Sequence, residues 1–187
     1  EGWTMSTYVT KDGYDMTTQT NSQKVPGFSF FNDTIRDALK GSVFENTGKG
    51  YVQGQIGNAD TIASCFIGLA RWCKSPTQTI NYASCHDNYT LYDRIKASGT
   101  TNEILVKRMA MLANSCVFTS QGISFMLAGE EMLRTKGGNS NSYEASYAVN
   151  AIDYTLKVKH LDMFNNYMFE RKELRKFDYD ELWKDSL

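Results

Sequence analysis

Long runs of one kind are missing from this sequence. No apolar stretch approaches the roughly 20 residues that a membrane-spanning helix needs, so no membrane partner is expected. Lys and Arg are scattered and the formal net charge is -1, which argues against nucleic acid and against an anionic membrane surface. The chain does not begin with Met and shows no signal peptide. Its four cysteines, Cys65, Cys73, Cys85 and Cys116, lack the close pairing of a zinc site. Each lies in an apolar or helical stretch, as buried free thiols do, which suits a reducing, cytoplasmic compartment. Gly48, Gly50, Gly54 and Gly57 are followed by no lysine at phosphate-loop spacing, which argues against nucleotide binding. No metal-ligand set and no cofactor motif stands out, and none is expected. No short repeat or low-complexity tract is present.

What is present is an alternation. The 187 residues, 13% of them aromatic, are enough for one globular core. Three short apolar runs, Phe28 to Phe31, Thr79 to Cys85 and Ile123 to Ala128, read as strands, and each ends in polar residues. Helical segments separate them. Thr34 to Lys40 closes on Gly41, and Asp33 is expected to cap it. Ile62, Phe66, Leu69 and Cys73 recur at helical steps after a cap at Asn58 or Asp60, and Pro76 ends that stretch. A polar loop is expected from the central strand to Thr101. A helix follows over about Asn102 to Ser120, with Leu105, Met109, Leu112 and Cys116 as its buried stripe and Met109 and Met111 as core filler. A last helix is expected over Met163 to Lys176, capped by Asp162. Strands alternating with helices predict βαβ units and a parallel α/β sheet, with ligands bound where the loops leave the strands.

Among the loops, one stretch concentrates chemistry: Ile80 to Asp93, INYASCHDNYTLYD. Its strand stops on His86, Asp87 and Asn88 and continues through Tyr89 and Tyr92. A buried strand that releases an imidazole, a carboxylate and an amide at its C-terminal end is how α/β barrels place reactive groups. After the third strand, Glu130 and Glu131 are adjacent and so point to opposite sides of an extended chain. A structural role is expected for them, with one bonded to backbone or to Arg134. The flexible loop Lys136 to Tyr147 carries Asn139, Asn141 and Tyr143, groups that bond to or stack on sugars.

Several of these blocks, in this order, resemble the α-amylase superfamily, glycoside hydrolase family thirteen, and within it the type I pullulanases and related debranching enzymes. They are His86-Asp87-Asn88, the stretches GFSFFNDTIRDALKG from Gly27 and SQGISFMLAGEEMLRTKGGNSNS from Ser120, and the opening Glu1-Gly2-Trp3. The resemblance implies a partial TIM (β/α)8 barrel, from the end of strand five through helix eight. A whole barrel typically needs about 250 residues. The 187 residues are therefore expected to be the C-terminal half of a catalytic barrel, whose N-terminal half is a missing part of the same polypeptide.

The resemblance also implies roles. Glu1 would be the general acid/base, its pKa raised to hold a proton near neutrality. Asp87 would be the carboxylate that bonds sugar hydroxyls and helps distort the ring. His86 would donate to the sugar in the cleavage subsite. Asn88, Tyr89 and Trp3 would shape adjoining subsites, and Asn139 and Asn141 would contact an α-glucan substrate. The nucleophilic aspartate would lie upstream of Glu1. The expected activity is retaining hydrolysis of α-1,6 branch linkages in pullulan, amylopectin or glycogen dextrins, with the isolated chain inactive. Cys85 stands where the family usually has an acidic residue. Two other readings are a non-catalytic α-glucan-binding module and a related α-1,4 amylase or branching enzyme.

Overall fold

The computed structural model describes residues 10–152 and 154. The first element is a short hairpin. β1 (Thr10–Lys11) pairs antiparallel with β2 (Tyr14–Asp15). Asp12 and Gly13 both have positive φ, the requirement of the tight turns that match strand twist. A 3-10 helix, Gln19–Lys24, follows. Its chain is gathered by the buried Gln78, whose amide donates to the carbonyls of Ser22, Val25 and Phe28.

The centre is a three-stranded parallel sheet in the order β3-β4-β5. β3 is Phe30–Phe31, β4 is Thr79–Asn81 and β5 is Ile123–Ser124. These strands are shorter than the apolar runs that contain them. Phe28 stands outside β3 and is exposed. Past β4 the chain stays buried through Tyr82, Ala83 and Ser84. There it packs by side chains: Phe31, Tyr82 and Phe125, one from each strand's end, meet edge-on with centroids 5.0, 5.4 and 6.2 Å apart. Asn81 ties the layer together. It accepts from Asn32 at 3.0 Å and donates to the Gln121 carbonyl at 2.7 Å.

Parallel neighbours need long crossovers, and helices supply them. α1 (Asp33–Lys40) and α2 (Ala59–Phe66) lie between β3 and β4; α3 (Leu91–Ala97) and α4 (Glu103–Thr119) lie between β4 and β5. α1 is capped by Asn32, whose side chain accepts from the Ile35 amide at 3.4 Å. Asp33, the expected cap, pairs instead with Arg36 at 2.9 Å. Gly41 ends the helix at φ 87°, where a β-carbon would sit 2.6 Å from the Gly48 carbonyl oxygen. Only glycine fits both demands.

α2 starts at Ala59, with Asn58 in the capping position. The Asn58 side chain, however, donates to the Ala38 carbonyl. The helix stops eight residues on, because Gly68 takes a left-handed turn and its amide returns to Cys65. Ile62 and Cys65 are its buried residues, and Leu69 is exposed beyond it. The continuous stripe to Cys73 is therefore cut at Gly68. α3 replaces the loop expected before Thr101. Thr90 caps it by accepting from the Asp93 amide, and Leu91, Arg94 and Ile95 are fully buried. The Arg94 guanidinium holds the glycine-rich loop through the carbonyls of Ser42, Asn46 and Gly48.

α4 has the expected bounds, with Asn102 capping both the Ile104 and Leu105 amides. Its buried stripe is Val106, Ala110, Ala113 and Val117, one residue round from the expected one. Leu105 and Leu112 are exposed, Met111 is 60% exposed, and Met109 and Cys116 are half-buried against the core. The helix is apolar on more than one face, so period alone does not choose the buried one. Small side chains on the Ala110–Ala113 face let α4 approach α2 and α3 closely. Together with Ile35, Leu39, Ile62, Leu91 and Ile95 that face forms the core. After β5 come a 3-10 turn, Glu130–Met132, and α5 (Tyr147–Asn150).

Candidate functional site

β4 is the middle strand, and the loop leaving its C-terminal end carries the candidate residues. Two buried contacts fix that loop's base. The Ser84 hydroxyl donates to the Glu130 carboxylate, and Thr90 begins α3. Between them Cys85 is half-buried and its thiol is pushed up by burial. His86 and Asp87 follow, with side chains 69% and 59% exposed and 3.5 Å apart from Nε2 to Oδ2. Asn88 sits at φ 59°, a left-handed conformation that asparagine accepts more readily than most residues. It turns the chain so that Tyr89 comes back half-buried toward α3.

A second loop lies against the first. Residues 134–142 follow the turn at Glu130, and Asp93 of α3 anchors them. One Asp93 oxygen accepts from the Thr135 hydroxyl and the other from the Lys136 amide at 2.7 Å. The Lys136 side chain, 1% exposed, then reaches across. Its Nζ donates to the His86 carbonyl and to the Ser142 hydroxyl, each at 2.9 Å. Burial and the Arg134 charge both depress the Lys136 pKa. Asn139 accepts from the Asn141 amide at 2.8 Å, and Asn150 holds the Ser142 carbonyl. Asn141 and Tyr143 remain exposed.

His86, Asp87, Asn88 and Tyr89 therefore share one loop, and Lys136 bonds that loop to the one bearing Asn139 and Asn141. Glu1 and Trp3 lie outside the described residues. The expected last helix, Met163 to Lys176, lies outside them as well. Glu130 and Glu131 do not run in an extended chain, because Gly129 at φ 86° starts a helical turn. Glu130 is 4% exposed. Burial raises its pKa to about 7, against the pull of Ser84, Lys40 and Asn114. Arg134, one of the partners expected for this pair of glutamates, donates to the carbonyls of Ala128 and Asn150. Lys40 is also buried, and desolvation lowers its pKa to about 7.

Lys136, Ser142 and Asp93 were not singled out by the sequence. Lys136 is followed by two glycines and reads as solvated loop. Asp93 did carry a signal, three residues after Thr90 in capping spacing, although its carboxylate serves the neighbouring loop rather than the cap.

An exposed imidazole–carboxylate pair at a strand end, flanked by amides and tyrosines, can bond to and stack on the hydroxyls and faces of a sugar. No family model matches the chain. It is 32% identical over 161 residues to a pullulanase of Bacillus subtilis, a match covering 82% of this chain and 22% of that protein. The solved pullulanase of Bacillus acidopullulyticus superposes with a TM-score of 0.77 at 41% identity, over 89% of this chain and 21% of that one. The pullulanase of Paenibacillus barengoltzii, solved in complex with maltohexaose and α-cyclodextrin, gives 0.76 at 39% identity, over 94% of this chain and 28% of that one. The chain spans less than a quarter of the length of the curated relatives it matches. It is a homologue of one segment of the pullulanases.

Proposed function

We propose that the chain is part of a retaining glycoside hydrolase that cleaves α-1,6 branch linkages in pullulan, amylopectin or glycogen dextrins. In this reading β3, β4 and β5 are the sixth, seventh and eighth strands of a (β/α)8 barrel. The observation that carries it is the exposed His86–Asp87 pair at the C-terminal end of the central parallel strand, the face where such barrels work. The likeness to pullulanases with bound maltooligosaccharides supports an α-glucan as the ligand. Among the described residues β3 and β5 have no outer strand partners, and Ile123 of β5 is exposed. That fits a sheet whose remaining strands belong to the rest of a longer polypeptide, since parallel sheets are otherwise buried.

The division of labour follows from the chemistry. Retaining cleavage needs an acid for the leaving oxygen and a nucleophile about 5 to 5.5 Å from it. Glu1 supplies the acid/base, and the nucleophile comes from upstream. Asp87 accepts from sugar hydroxyls, bonds that tighten as the ring flattens toward the oxocarbenium ion. His86 donates to the same sugar. Trp3, Asn88, Tyr89, Asn139 and Asn141 shape the adjoining subsites.

The test is release of reducing sugar from pullulan by the full-length polypeptide. Hydrolysis that disappears when only the 187 residues are supplied supports the reading. Dextrin binding without hydrolysis by the full-length polypeptide would replace it with a glucan-binding module. Cleavage of unbranched α-1,4 chains but not of pullulan would replace the linkage.

A further inference from the structure

We infer that Lys136 is a positioning residue for this site: it sets the His86–Asp87 loop and the Asn139–Asn141 loop relative to each other, so that the groups on both address one sugar chain. The inference rests on the glucan-hydrolase reading.

The argument begins with burial. Lysine is rarely buried unless its ammonium is paired or bonded, yet Lys136 is 1% exposed and ends in a loop rather than a core element. Its bonds account for this. Nζ donates to the backbone oxygen of His86 itself and to Ser142, two residues after Gly-Gly-Asn-Ser has brought the second loop round to Asn141. Its amide is held by Asp93, which also takes the Thr135 hydroxyl. One residue therefore touches α3, the β4 loop and the second loop. The candidate sugar-binding side chains at 86, 87 and 141 are exposed. Gly137 and Gly138 both take left-handed φ, and the turn they make is closed by the Asn139 amide on the Lys136 carbonyl. The Ser142 carbonyl is also held by the Asn150 side chain and the Ala145 amide. The ammonium thus bonds to residue 86 and residue 142 at once.

The experiment uses Lys136→Met and Ser142→Ala in the full-length polypeptide, read by amide hydrogen exchange and by pullulan kinetics. In Lys136→Met, exchange at residues 84–90 and 139–142 speeds up at least tenfold while α4 amides stay as they were. In the same variant kcat falls ten- to hundredfold and KM shifts less than threefold. Ser142→Ala frees only the second loop: exchange rises at 139–142 and KM rises severalfold. Unchanged exchange at 84–90 in Lys136→Met overturns the inference whatever the activity. Faster exchange with wild-type kcat and KM makes the lysine merely structural and overturns it too. Where Lys136→Met does not fold, wild-type KM and exchange in Ser142→Ala overturn it. A wild-type polypeptide that does not hydrolyse pullulan defeats the functional reading instead, and the exchange pattern still decides whether the loops are coupled.

Discussion

At the end of β3, Asn32 turns back into the fold and Asp33, its side chain 56% exposed, is tied down by its neighbours. Asn32 is buried, caps α1 and bonds across to Asn81. Asp33 accepts from Arg36 and from the Tyr82 hydroxyl, at 2.9 and 2.6 Å. At the end of β4 the polar residues stay out. The His86 and Asp87 side chains are 69% and 59% exposed and lie 3.5 Å apart, while the groups that fix their loop, Ser84, Lys136 and Asp93, are buried. Both ends read alike in sequence, as an apolar run stopping on an amide and a carboxylate. The difference lies in what the fold does with them. A strand-end carboxylate already engaged by a guanidinium and a phenol is part of the scaffold. One held out by a buried frame is available to a ligand.

That contrast can be broken in four ways. The largest effect is expected for Asp87→Asn in the full-length polypeptide. Hydroxyl bonds that strengthen in the transition state are worth several kcal/mol, so pullulan kcat/KM should drop on the order of 10²–10³-fold. The melting temperature should hold, because the side chain is mostly exposed. Loss of stability with activity retained would put Asp87 in the class of Asp33.

Next is Glu130, the buried prop under the β4 loop. Its carboxyl is raised from 4.5 to about 7 by burial. A raised carboxyl keeps its proton longer in the folded state, so its stabilising contribution is complete below pH 4.5. That contribution drains away as pH climbs to about 7. Glu130→Gln should match the wild type near pH 4.5 and exceed it at pH 8 by on the order of 2 kcal/mol in urea unfolding. The difference between the two proteins isolates Glu130 from Lys40, whose lowered pKa acts in the opposite direction. Parallel pH curves would mean that the carboxyl ionises freely.

Asn32→Ala removes a helix cap and a buried amide bond together. About 2 kcal/mol of stability should go, measured by denaturant unfolding, with dextrin affinity unchanged. The smallest effect is expected for Asp33→Asn. Its pair with Arg36 is half exposed, so the cost should be about 0.5–1 kcal/mol. Glucan binding by calorimetry should be unaffected. A large loss of binding there would erase the distinction between the two strand ends.

The parallel α/β arrangement was legible, because three apolar runs, their polar ends and the helix signals at Gly41 and Asn102 all agreed. The stripe of α4 was not. Its apolar residues cover more than one face, and the choice between Leu105–Leu112 and Val106–Ala113 is made by how closely neighbouring helices approach. α3 was missed because only seven residues separate Thr90 from Ser98 and three of them are charged. Its burial depends on Arg94 finding three loop carbonyls that no local pattern announces. The exposed pair proposed to meet the ligand, His86 and Asp87, is singled out by residue type and position at the end of an apolar run. The buried frame that holds them is not, since a lysine 50 residues away in sequence gives no local sign that it will bond to the His86 carbonyl.

Asn88 bears on how a mutational scan of this loop should be read. Its left-handed backbone admits Gly, Asp and Asn and penalises most other residues by about 1–2 kcal/mol, most of all the β-branched ones. A saturation library would therefore show position 88 as nearly invariant even with no sugar in the assay. Tolerance at 88 would rank substitutions by torsional preference, whereas tolerance at 86 and 87 would rank them by hydrogen-bonding chemistry. Two adjacent columns of one heat map would then report a folding constraint and a recognition constraint side by side.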